Sequence, residues 1–138
     1  MIRWLRYGGL AIVFAWFFLG GITHFTNTPF FLSIMPPYVP LPLAAVYVSG
    51  VCEIAFALGI VYPPTRQWSG NLLILLTIAV TPANVYMWQH PDLFPSVSPA
   101  FLSGRLVVQV LLIALIAWST RRDATARSQP AQSPQGAT

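Results

Sequence analysis

The sequence predicts an all-α fold, an integral membrane four-helix bundle with a proline-rich interfacial outer loop. Three observations predict it. Charged residues make up 7% of the 138-residue chain and hydrophobic residues 56%, whereas a soluble domain carries roughly 25% charge. Four apolar runs recur, each close to the roughly 20 residues that cross a bilayer. Between them lie proline-rich stretches or a short basic connection. One domain is expected over residues 1–122, with spans at about 4–23, 43–62, 68–88 and 101–120.

Arg3 and Arg6 precede the first run, as in a signal peptide. The run is longer than a signal core and no A-x-A-like site follows, so an uncleaved span is expected. Its Gly20-Gly21 pair suits close helix approach. Residues 25–42, FTNTPFFLSIMPPYVPLP, hold five prolines and no charge. The prolines forbid a continuous helix. The apolar residues are too many for a solvated loop, so a short interfacial or re-entrant segment covering the outer mouth is expected.

The second span ends at Pro63-Pro64. The tight connection through Arg66 predicts an antiparallel pair with the third span. Pro82 is expected to interrupt that third span just before Asn84 and bend it there. Residues 89–100 form a second outer loop, and the fourth span is closed by Arg121 and Arg122. The tail, 123–138, is rich in Gln, Ser, Ala and Pro and is expected to be disordered.

Orientation follows from the basic residues. Arg3, Arg6, Arg66, Arg121, Arg122 and Arg127 fall on one side of a four-span path, and the loops after spans one and three carry none. Both termini are therefore expected in the cytoplasm.

The composition excludes several classes. No basic block resembles a nucleic-acid patch. Cys52 is the single cysteine, so an intramolecular disulfide is excluded. No His/Cys/carboxylate spacing suggests a metal, no Gly-rich loop would cradle phosphate, and no nucleophile stands with its base. The chain is too short for an inverted-repeat transporter unless it oligomerises.

Chemistry is sought instead in the polar residues within the spans. Glu53 lies roughly 15 Å into the second span, a depth at which a charge costs about 2.5–3.5 kcal/mol on insertion scales. Arg105 and Gln109 share one face of the fourth span, four residues apart. His24 and Asn84 lie near the outer ends of spans one and three. All are expected in the outer half of the bundle, with Tyr38 beside them. Glu53 and Arg105 are the candidates for chemistry; His24, Tyr38, Asn84 and Gln109 are the candidates for ligand contact.

Bland readings stand beside these. Glu53 and Arg105 form a register-fixing ion pair, or Arg105 snorkels to headgroups. His24 is an interfacial residue satisfied by water, Asn84 satisfies a carbonyl freed by Pro82, Tyr38 stiffens its loop, and His90 belongs to the loop. The functional inventory suits an apolar molecule with a polar head, such as a quinone, entering laterally from the lipid.

Five segments then carry a family resemblance. GITHF ending at Phe25, PPYVP at 36–40, SGVCEIAFALGIVYPPTR at 49–66, PANVYM at 82–87 and RLVVQVLLIALIAW at 105–118 together resemble the DoxX-like family of small bacterial membrane proteins. The resemblance spans about residues 8–120. It implies four transmembrane helices in the bacterial inner membrane. It also implies a redox association, since relatives belong to a thiosulfate:quinone oxidoreductase and to an assembly that handles oxidative stress. Matching positions add Pro37 to the ligand-binding candidates. With Cys52 alone, this chain departs from a sulfur-handling role of its own. The expectation is a redox-associated subunit that binds quinone, with partner oxidoreductase subunits possible. The alternatives are a non-enzymatic membrane adaptor or assembly factor, and a small transporter.

Overall fold

A computed structural model describes residues 2–121. Six helices follow one another: α1 (Ile2–Thr26), α2 (Thr28–Ser33), α3 (Pro42–Val61), α4 (Arg66–Ala79), α5 (Thr81–Gln89) and α6 (Pro99–Thr120), with one 3₁₀ turn at Pro91–Leu93. No strand occurs among the described residues. α1, α3, the α4–α5 stretch and α6 are each long and apolar enough to cross a membrane. The expectation for 123–138 falls outside the described residues, as do Arg122 and Arg127.

Local chemistry sets the boundaries. α1 runs beyond its expected end at residue 23. The Asn27 amide still reaches the Thr23 carbonyl at 2.8 Å, and Thr28 returns its hydroxyl to the His24 carbonyl at 2.8 Å. Pro29 then sits in the first turn of α2, where a missing N–H costs nothing. Leu41 has φ 51° between Pro40 and Pro42. A following proline closes the right-handed helical region to it, and α3 starts at Pro42.

Thr65 and Arg66 end α3 by donating to the Gly59 carbonyl at 2.7 Å and the Ile60 carbonyl at 2.9 Å. These are carbonyls that a helix end leaves unpaired. The third span breaks at Val80, between α4 and α5, as Pro82 predicts. Ser98 caps α6 by accepting from the Phe101 amide at 3.2 Å, and Pro99 opens the first turn.

α1 packs on α3 and α6, and α4 packs on the same two. Thus α3 and α6 stand at opposite corners of the bundle. Small residues hold the neighbouring helices together. A Cβ on Gly21 of α1 would lie 2.8 Å from the Gly50 carbonyl of α3, and one on Gly50 would lie 2.7 Å from the His24 Cβ. Within lipid, helices gain little from hydrophobic exclusion and associate through such close packing. At the terminal end Gly59 meets Ser69 and Gly70 meets Thr120 in the same way, and Arg6 donates to the Arg121 carbonyl at 2.8 Å.

The core is in two parts. Val13, Phe17, Ala57, Ile60, Leu73 and Ile116 fill the terminal half. Ile34, Met87, Phe94 and Leu102 form a smaller cluster under the loops at the opposite end. The helices are tight below and capped above. The space between the two clusters holds the site.

Candidate functional site

The two core clusters bracket a cavity of about 910 Å³, toward the upper end of the roughly 300–1,000 Å³ typical of ligand pockets. Its wall is mainly apolar. Phe31, Ile34 and Met35, from α2 and the turn after it, close the loop end, while Val46, Val80, Ala83 and Leu112 line the interior. Ile12, Trp16 and Leu19 of α1 and Phe101 and Val108 of α6 also line it. These five are exposed on the outside of the bundle, Trp16 by 53%. The cavity therefore reaches the apolar outer surface between α1 and α6.

Polar side chains from all four spans line this one space: His24, Glu53, Asn84, Arg105 and Gln109. They divide into two groups.

The first group belongs to α1 and α3. His24 is buried, 7% exposed, and stacks on Phe31 with ring centroids 3.8 Å apart. Its Nδ1 is 3.0 Å from the Gly20 carbonyl. A carbonyl only accepts, so in the neutral ring Nδ1 bears the hydrogen and Nε2 is the acceptor. Glu53 Oε2 is 3.8 Å from the same Nδ1, beyond hydrogen-bond range. The Glu53 carboxyl accepts no hydrogen bond among the described residues. The Gly21–Gly50 crossing creates this pairing, because it brings α1 and α3 close one turn from both side chains.

The second group links α4, α5 and α6. Arg105 donates to Asn84 Oδ1 at 2.8 Å, and Asn84 Nδ2 donates to Gln109 Oε1 at 2.6 Å. Gln109 Nε2 donates to the Thr77 carbonyl at 3.2 Å and to Thr81 Oγ1. Thr81 in turn donates to the Thr77 carbonyl at 3.0 Å. The guanidinium carbon of Arg105 also lies 5.8 Å from the Phe30 ring centroid, within cation–π range. Break, amides and guanidinium thus form one directed chain of donors. Polar partners of this kind re-satisfy backbone freed by a proline in a membrane helix.

Several residues stand elsewhere than the sequence predicts. Arg105 neither pairs with Glu53 nor turns outward; it bonds Asn84. The reason is the diagonal placement of α3 and α6, which puts the cavity between the two side chains. His24 is buried inside the cavity rather than placed at the rim, with Nδ1 on the Gly20 carbonyl and its ring on Phe31. Asn84 bonds Arg105 and Gln109 rather than a backbone carbonyl, and Gln109 and Thr81 donate to the Thr77 carbonyl just before the break. Pro37 is exposed and Tyr38 is 73% exposed; neither lines the cavity. His90 packs tilted against the Tyr86 ring and its Nδ1 lies 2.9 Å from the Tyr86 carbonyl, in the loop position expected. Cys52 is half-buried and free.

Thr77, Thr81 and Gly104 line or support the site and were not singled out from sequence. Threonines placed just before a span proline were the available signal for the first two. Nothing in the sequence marked Gly104. Among the described residues, no three His, Cys, Asp or Glu side chains gather as for a metal ion.

The family described as "Domain of unknown function (DUF8561)" matches residues 11–121, the whole four-span region bar the start of α1. No curated protein and no solved structure matches the chain.

Proposed function

The chain belongs to the DUF8561 family, whose function is unknown, and from its own residues we propose that it is a redox-associated membrane subunit binding quinone or a similar apolar carrier. The observation that carries this reading is the cavity itself. It is apolar, of ligand size, open sideways between α1 and α6, and lined by polar groups from four spans. A membrane-borne molecule would enter from the lipid with its head first and leave its tail at the portal beside Trp16.

The residues fit such a head. Arg105 and the amide chain behind it offer donors to a carbonyl or hydroxyl oxygen. Across the cavity, the Glu53 carboxyl and the His24 ring are the groups able to hold a proton at the ligand. Glu53 and Arg105 are thus proposed to serve the chemistry, with His24, Asn84 and Gln109 positioning them or the head. A bound quinone supplies the electron-carrying chemistry, and the protein supplies orientation and proton exchange. Electrons would come from a partner oxidoreductase subunit. The resemblance to DoxX-like proteins supports the same reading.

The arginine pattern supports an orientation with both termini cytoplasmic and the cavity toward the periplasmic half of a bacterial inner membrane. Arg3, Arg6, Arg66 and Arg121 share the terminal end. Titration of purified protein with a quinone, followed by quenching of Trp16 fluorescence, tests the proposal. Saturable quenching that is lost in Trp16→Phe supports it, and unchanged fluorescence at saturating quinone refutes it.

A further inference from the structure

The two polar groups of the cavity have opposite unmet needs. Arg105 carries five N–H donors and spends one on Asn84. The other donors have no hydrogen-bond acceptor among the described residues. Glu53 offers acceptor oxygens only 3.8 Å from His24 Nδ1, yet that N–H is committed to the Gly20 carbonyl. Donor-rich Arg105 on α6 and donor-poor Glu53 on α3 therefore face one another from opposite corners of an apolar space. An arginine stays charged in proteins, and Glu53 is the acid that lines the same cavity. Desolvated groups of this kind cost most when left unpaired.

We infer that the site selects an amphiphile whose head presents an acceptor to Arg105 and, at its other end, an O–H or N–H donor to Glu53. This rests on the reading of the cavity as an amphiphile site and adds a polarity to it. A quinol carries that chemistry by its two hydroxyls, and an ethanolamine phospholipid by its phosphate and ammonium.

Each source has a donorless counterpart that keeps the acceptor. The dimethyl ether of a hydroquinone has no O–H, and a choline phospholipid has no N–H. A second handle is Gly104, which lines the cavity and has nothing within 4 Å of an added Cβ. Gly104→Phe would obstruct the cavity without an immediate clash. Gly8 is equally open and lies outside the cavity, so Gly8→Phe is its control.

The experiment measures anaerobic binding to the full chain in detergent. The probes are a short-tailed hydroquinone, its dimethyl ether, an ethanolamine phospholipid and a choline phospholipid. A donor met by an otherwise unpaired, desolvated carboxyl predicts that, in at least one pair, the donor-bearing member binds about tenfold tighter or more. Which pair shows the preference identifies the source. That preference is expected to vanish in Glu53→Leu, whereas Arg105→Met weakens both members of the pair alike. Gly104→Phe is expected to lower binding of every probe, and Gly8→Phe to leave it unchanged. Thermal unfolding of each variant verifies that it is folded. Equal binding within both pairs, or a preference that survives in folded Glu53→Leu, overturns the polarity while leaving the amphiphile site standing. Binding of none of the four probes overturns both.

Discussion

Gly21 on α1 and Gly50 on α3 meet backbone to backbone, with a virtual Cβ on Gly21 2.8 Å from the Gly50 carbonyl. The crossing lies one turn from His24 and Glu53, so the approach of these two side chains depends on it. Gly21→Ala also places a methyl 2.7 Å from the Ile54 Cγ1. Overpacking of this kind costs about 1–3 kcal/mol. Gly21→Ala is expected to lower the unfolding temperature in detergent and to weaken ligand binding together. A stable Gly21→Ala protein with full binding would show that the crossing does not shape the site.

Asn84 bridges Arg105 and Gln109, which share no direct hydrogen bond. Asn84→Ala removes the bond to Arg105 and the one to Gln109. Side-chain hydrogen bonds between membrane helices average about 0.6 kcal/mol and reach about 1.7 kcal/mol. A stability loss of about 1–2 kcal/mol is expected in reversible detergent unfolding, because two such bonds go at once. Asn84→Asp keeps an acceptor for Arg105 and is expected to lose less.

Gln109 holds the break between α4 and α5. Gln109→Leu deprives the Thr77 carbonyl of one donor and leaves Thr81 as the other. Faster amide hydrogen exchange confined to residues near Val80 is the expected result. Exchange unchanged there would mean that Thr81 alone secures the break.

Tyr38 stands outside the cavity. Tyr38→Ala is expected to change quinone affinity by less than about twofold, as a surface substitution should. Equilibrium titration checks this, and a larger loss would return Tyr38 to the site.

Much of the fold was legible in the sequence for one physical reason. Backbone groups in lipid must be satisfied within the segment, so apolar runs of the right length are helices. The proline at residue 82 likewise announced the break that the structure has at Val80. The polar residues of the cavity were also legible, because span polarity is expensive and therefore conspicuous in Glu53, Arg105, Asn84 and Gln109. Their partners were not. Pairing depends on which helices are diagonal, and neither depth nor helical face encodes that; hence a pair with Glu53 and an outward turn were both open for Arg105, which bonds Asn84 instead. Loop residues gave least. Pro36 is buried while Pro37 and Tyr38 are exposed, a distinction that two adjacent prolines do not encode.

The most direct measurement is mass spectrometry of lipid-soluble ligands extracted from gently purified wild-type protein, Gly104→Phe and Gly8→Phe. A quinone or comparable amphiphile retained by the wild type and Gly8→Phe, and lost from folded Gly104→Phe, is the predicted result. No amphiphile above the level of bulk lipid in any of the three, or equal retention in all, would contradict a ligand held in this cavity.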